Sequence, residues 1–210
     1  MKIKFLSAAF AIALSATVMS ASAQKTINEG YASFSTELRG QPADVKNYFT
    51  ADSTAAVITF GPGTVKILTT AKYDYLAVVL DIPVASLKKA GIATPSELEE
   101  GMTALPTFTF TVSGETKVIS GFNCKRVVAK DNKSGKAYDV WITNDIAVPP
   151  TAIPYYYRGV GGFPVQFTSF SQGEELSVTI KSVTEGKAPA GTFAIGKDFD
   201  KGSLSDLNAQ

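Results

Sequence analysis

The chain has 210 residues, 20 Lys and Arg against 19 Asp and Glu, no histidine and one cysteine. That excludes a Ser-His-Asp triad, a Cys-His pair, every His-ligated metal site and an intrachain disulfide. Setting aside Lys2 and Lys4 leaves 18 cations against 19 anions, a net charge of −1, which is no footprint for nucleic acid or an anionic membrane surface. A hydrophobic content of 45% is enough for a packed core.

Met1 to Ala23 reads as a secretory signal peptide. Lys2 and Lys4 form the positive n-region, Phe5 to Val18 the apolar h-region, and Ala21-Ser22-Ala23 the cleavage pattern. An uncleaved anchor is the rival reading; Ser7, Ser15, Thr17, Ser20 and Ser22 weaken it. No cysteine stands at the cleavage site, so the expectation is a periplasmic or secreted protein that is not a lipoprotein and has no membrane span after cleavage. Residues 24–210 then form a single domain.

Ile27 to Leu38 reads as a first strand and Pro42 to Phe49 as a short helix with Pro42 in its first turn. Ala55 to Phe60 and Thr64 to Thr70 make a hairpin about Gly61-Pro62-Gly63. Tyr75 to Asp81 is a strand apolar on both sides, which calls for cover on both faces. Pro83 to Ala90 reads as a helical turn or two ending at Gly91. Thr94-Pro95-Ser96-Glu97 is a capping box that starts a helix through Glu100 or Gly101. Its acids Glu97, Glu99 and Glu100 suit the first turns of a solvated helix better than a catalytic pair.

Thr107 to Val112 alternates strictly, Ser113-Gly114 reads as a turn, and Glu115 to Ser120 and Phe122 to Lys130 follow as strands with a bend at Gly121. Alternation puts Cys124 on one face with Phe122 and Val128; a buried, inert thiol is the common outcome, a reactive one the alternative. Ala137 to Thr143 is the next strand. Its Trp141 either packs in the core or faces solvent or a ligand.

Pro149, Pro150 and Pro154 forbid regular pairing in the next loop. Tyr155, Tyr156 and Tyr157, read as an extended segment, cannot all face one core. Together with Trp141 and Phe163 they are the candidate ligand-binding residues, against the alternative of ordinary edge packing. Gly159 to Gly162 lacks the Lys-Ser/Thr and the following helix of a phosphate loop. Phe163 to Phe170 and Glu174 to Thr184 make a closing hairpin about Gly173. Ala188 to Gln210 is a polar tail with a few apolar anchors, and its Asp198-Phe199-Asp200-Lys201-Gly202 is an incomplete calcium loop. No metal site and no cofactor are expected. A hydrolase using carboxylates alone, with Asp139 and Asp145 as candidates, is the weakest reading because no pair is identifiable from spacing.

The stretch Lys117-Val118-Ile119-Ser120-Gly121-Phe122-Asn123-Cys124-Lys125-Arg126, followed by Tyr138-Asp139-Val140-Trp141-Ile142-Thr143-Asn144-Asp145-Ile146, resembles a group of secreted Gram-negative envelope proteins of unknown function. Their pattern is Lys-x-Ile-x-Gly-aromatic-x-Cys-Lys, then a strand ending in Trp-x-Thr-x-x-Ile. Glu29-Gly30-Tyr31 and Gly162-Phe163-Pro164 are similar to it more loosely. The resemblance implies a relation to the LolA/LolB lipoprotein-carrier fold and brings no active site with it.

The expected architecture is therefore mainly β with some α. It is an antiparallel, strongly curved sheet or LolA-like half-barrel, with short helices packed on its concave side. The expected function is non-enzymatic: binding an apolar or amphiphilic ligand, such as a lipid or a lipoprotein acyl chain, in the half-barrel cavity. The alternative is a structural or protein-interaction module of the cell envelope with envelope proteins as partners and no small-molecule ligand.

Overall fold

The computed structural model describes residues 24–38, 41–171 and 173–208; the leader reading of Met1 to Ala23 lies outside them. In chain order come β1 (Lys25–Thr26), β2 (Gly30–Leu38), β3 (Gln41–Phe49), β4 (Ser53–Phe60), β5 (Gly63–Thr70), β6 (Leu76–Ile82), β7 (Leu87–Ile92) and helix α1 (Pro95–Ala104). The second half brings β8 (Phe108–Ile119), β9 (Phe122–Asp131), β10 (Ala137–Thr143), β11 (Ile146–Ala147), β12 (Phe163–Ser171), β13 (Glu174–Thr179), β14 (Ser182–Glu185), β15 (Asp200–Ser203) and α2 (Leu204–Asn208). The protein is mostly β and its long strands pair antiparallel.

The expectation of one continuous sheet is corrected. The strands divide into an eight-stranded sheet in the order β14-β2-β3-β4-β5-β6-β7-β15 and a five-stranded sheet in the order β13-β12-β10-β9-β8; β1 and β11 form a short parallel pair. The β4–β5 hairpin forms as read, turning through Gly61 and Pro62, with Gly61 at φ +51°. Pro42 to Phe49 is strand β3, not a helix. Pro42 stands near the strand's start, where a missing N–H costs little, and Val45 and Phe49 bury on the pleat. Pro83 to Ala90 keeps only one 3₁₀ turn, Pro83–Ala85; β7 then pairs along β6, so tertiary pairing overrides local helix preference.

The turn between β8 and β9 is also relocated. Ser120 and Gly121 have φ of +52° and +84°, the two left-handed residues of a tight hairpin, while Ser113 and Gly114 lie within β8 at an irregularity between Val112 and Thr116. The capping box is as expected: Thr94 Oγ1 accepts from Glu97 N at 3.3 Å and Glu97 Oε2 accepts from Thr94 N at 2.7 Å. The helix it starts runs on to Ala104.

The segment after Ala188 is no loose tail. Phe193, Ile195 and Phe199 pack on one face of the eight-stranded sheet against a core of Tyr48, Leu68, Ala77 and Val79. The chain then adds β15 in parallel beside β7, and α2 follows. Lys66 Nζ donates to the carbonyls of Gly191 at 3.2 Å and Ala194 at 2.9 Å and so fastens this strap. Gly91 permits the close approach, since a Cβ there would lie 2.8 Å from Ser203 O and 2.6 Å from a Leu207 methyl.

A second core joins the five-stranded sheet to the start of the chain: Val127, Val140, Ile142 and Val165 bury with Ile27 and Phe49. Each such side chain contributes about 1.5–3 kcal/mol of transfer free energy. The sheets are joined covalently where β13 leads into β14. Ile180 N donates to Val165 O in one sheet and the next amide, Lys181 N, donates to Ser33 O in the other, both at 2.7 Å. Among the described residues no helix is long and apolar enough to cross a membrane.

Candidate functional site

The side chains of the eight-stranded sheet that point away from the strap line a hollow of about 390 Å³. Strict alternation puts them there: Ala32 pairs with Asn47, Asn47 with Ala56, and Ala56 with Ile67 along one row, with Thr54 and Thr69 in the next. Opposite stand Phe163, Phe167, Val178 and Ile180 at the other sheet and Leu98, Met102 and Leu105 of α1. Of the apolar β6, Ala77 and Val79 bury under the strap and Leu76 lines the hollow, while Val78 and Leu80 stay half-buried, so the expected cover on both faces is met only at the Leu76 end.

Helix α1 has no fully buried residue and is held at both ends. Lys133 Nζ donates to the carbonyls of Thr103 at 2.6 Å and Leu105 at 2.8 Å. At its start Glu97 Oε1 accepts from Ser205 N of α2 at 2.9 Å. The backbone amides of Thr94 and Ser205 hold the Glu97 carboxyl at about 2, against an ordinary 4.5. Glu97 is the one charged residue in the hollow's lining, and both its oxygens are already engaged.

Of the five candidate ligand-binding residues, two line this hollow. Phe163 does so from the first position of β12, and Tyr156 from the loop. The tyrosines are not extended: Tyr155–Tyr157 is a 3₁₀ turn, because Tyr157 N donates to Pro154 O at 2.8 Å and Arg158 N to Tyr155 O. The turn sends its three rings in different directions.

Tyr156 reaches the hollow and its hydroxyl accepts from Phe170 N at 3.1 Å. Tyr157 is wholly buried; its ring stacks on Phe108 at 5.3 Å with 7° between planes, and its hydroxyl donates to Thr168 O at 2.8 Å. Burial pushes the Tyr156 and Tyr157 phenols above their ordinary range. Tyr155 is 43% exposed and stands edge-on to Tyr73 at 5.0 Å. Trp141 is not part of the hollow's lining. It packs on the core under Lys117 Nζ, 4.0 Å from its ring, and Lys117 also donates to Gln166 Oε1.

Cys124 is buried at 2% exposure, and burial pushes its thiol pKa up, away from nucleophile chemistry. The strand face it was assigned is corrected at one position. Val127 and Ala129 bury fully where Val128 was expected, since the buried side of β9 changes at the irregularity opposite Arg126. Asp139 pairs with Arg126 at 2.8 Å, and Asp145 Oδ2 accepts from Asn123 N at 2.7 Å, so each acid has a structural partner. Asp198 of the incomplete calcium loop pairs with Lys88 at 2.6 Å. Among the described residues no cluster of metal-ligating side chains is found.

Sequence reading missed Tyr73, Leu98 and Met102, which also line the hollow. Leu98 and Met102 are spaced i, i+4 on α1, a signal that a search for an apolar helix face would have caught. Tyr73 carries no local signal; its place comes from the turn after β5.

No family model and no curated protein matches the chain. Two solved structures of PNGF-II are similar to it. The form in space group C2 has 15% identity and a TM-score of 0.47, and that in P21 has 13% and 0.45. In both, the match covers 86% of this chain and 32% of the other, so the chain spans about a third of the length of the solved structures it matches.

Proposed function

We propose that the protein is a non-enzymatic carrier that holds an apolar or amphiphilic ligand between its sheets, with the two sheets and α1 acting as a LolA-like half-barrel after export to the periplasm or beyond. The observation that carries this reading is the hollow of about 390 Å³, walled mostly by Ala, Ile, Leu, Met and Phe and roofed by a helix with no buried residue. An apolar space of that size, with a few polar groups, is what a hydrophobic ligand fills. The alternative use of such a fold, catalysis, finds no support in the partners of Asp139, Asp145 and Cys124.

Titration of the purified chain with a fluorescent fatty acyl probe tests the proposal, with extraction and mass spectrometry of co-purifying lipid. Saturable binding at one site is expected, displaced by unlabelled lipid. No binding, with no extracted lipid, overturns it.

A second reading, an envelope protein-interaction module, draws on β8. This edge strand of twelve residues exposes Val112 at 64% and Val118 at 68% beside an unpaired backbone edge. A partner protein that adds a strand there would protect the β8 amides from exchange.

A further inference from the structure

We propose that the ligand is a single-chain amphiphile with an anionic head, its chain in the hollow and its head drawn to Arg158 through the ring of Tyr73. The proposal rests on the carrier reading and narrows it to a ligand class. At about 30 Å³ for a water-sized group, the hollow of about 390 Å³ matches one acyl chain of about 13 carbons, and the second chain of a two-chain lipid would lie outside it.

The lining itself supplies no cation. The cation stands just behind it. Arg158 Nε donates to Pro150 O at 3.2 Å and Nη1 to Ala71 O at 2.8 Å, which fixes the guanidinium plane. Its Nη2 is out of contact with water and has no hydrogen-bond partner. None of the ion pairs among the described residues includes Arg158. The acid of the adjoining turn, Asp74, accepts instead from Thr70 Oγ1 at 2.5 Å.

A guanidinium with a dry, unused N–H pair and no counter-ion is costly, and such a group calls for a partner. Its planar fork matches a carboxylate better than any neutral head.

Two rings enclose it. Tyr73 and Tyr155 each lie 5.2 Å from the guanidinium carbon. Tyr155 faces solvent, while Tyr73 lines the hollow. Tyr73 is also held at φ +57°, a left-handed conformation that a bulky residue adopts at a cost. The proposal requires that ring to swing aside, which would bring the guanidinium behind it, 5.2 Å from the ring, within reach of the hollow. The aromatic pair then flanks the head, and the dry Nη2 gains the acceptor it lacks.

The test compares tetradecanoic acid with 1-tetradecanol, by displacement of the fluorescent acyl probe from the full chain at neutral pH. The acid is expected to bind at least tenfold more tightly than the alcohol. Arg158→Met, which keeps the apolar stem, should bring the acid to the level of the alcohol and leave the alcohol unchanged; Arg158→Lys should recover only part of the difference. Vesicles of a two-chain phosphatidylglycerol should fail to compete.

Equal binding of acid and alcohol by the native chain overturns the head-group assignment while leaving the carrier reading intact, and needs no variant to fold. A preference for the acid that survives in Arg158→Met overturns it too. Binding of neither compound overturns the carrier reading and this assignment together.

Discussion

The eight-stranded sheet has two faces built from the same strands, and they differ in what lies against them. On the strap face, large and small side chains alternate across the strands, Tyr48, Ala55, Leu68 and Ala77 in one row, and Phe193, Ile195 and Phe199 close over them. On the other face the row is Ala32, Asn47, Ala56 and Ile67, and the nearest cover is a helix and a second sheet that leave a hollow between. The strap face does have a recess of about 350 Å³, where Lys66 and Asp81 stand beside the apolar Val79, Ile195 and Phe199. The lesson is that burial on a strand is decided per face: adjacent residues of β5, Leu68 and Ile67, belong to a packed core and to the wall of a hollow.

Leu68 and Ile67 offer the sharpest way to break that contrast. Leu68 is 3% exposed under the strap, so Leu68→Ala should cost about 2–5 kcal/mol. Ile67 already faces empty space and has fewer atoms to lose, so Ile67→Ala should cost about 1 kcal/mol or less. Urea midpoints at constant m-value decide between them. Equal losses would mean that both faces are packed alike.

A smaller effect is expected from filling. Ala55 has no exposure, so Ala55→Leu should overpack the strap face by about 1–3 kcal/mol. Ala56→Leu enters the hollow, so it should change stability by less than about 0.5 kcal/mol and weaken acyl-probe binding at least tenfold. A stability loss from Ala56→Leu as large as that from Ala55→Leu would remove the distinction.

The smallest effect is the acid response of the roof. Glu97 has its carboxyl lowered from 4.5 to about 2 by the amides of Thr94 and Ser205, so the native chain binds the proton less readily than the unfolded one. Its contribution is whole above pH 4.5 and is lost as pH falls toward 2. The amide-exchange protection of α1, taken relative to the intrinsic rate at each pH, should fall across that window in the native chain, and Glu97→Gln should flatten the fall. An unchanged pH profile in Glu97→Gln would show that the carboxylate does not hold the roof.

What the sequence made legible was whatever has a short-range cause. The β4–β5 turn, the Thr94–Glu97 box and the alternation from Phe108 to Phe110 all follow from residues within a few positions of one another. Pro42 to Phe49 and Pro83 to Ala90 read as helical because the strand character of β3, and of the chain from Leu87 onward, comes from pairing with β2 and β6, which no window of the sequence contains. The site divides in the same way. Tyr156 and Phe163 stood out as aromatics near prolines and glycines, whereas the turn that separates Tyr156 from Tyr157 depends on Pro154 O and on Phe108 arriving from β8. Arg158 and Tyr73 meet across 85 positions of the chain and gave no local sign at all.

The peptide between Ile180 and Lys181 has a bearing on traffic. With one amide committed to each sheet, it acts as a selvage along the back of the hollow, and the sheets cannot part there without tearing both ladders. On the opposite side Lys133 and Glu97 tie α1 down through three hydrogen bonds, so an opening of the hollow that spares both ladders would have to break those polar latches first.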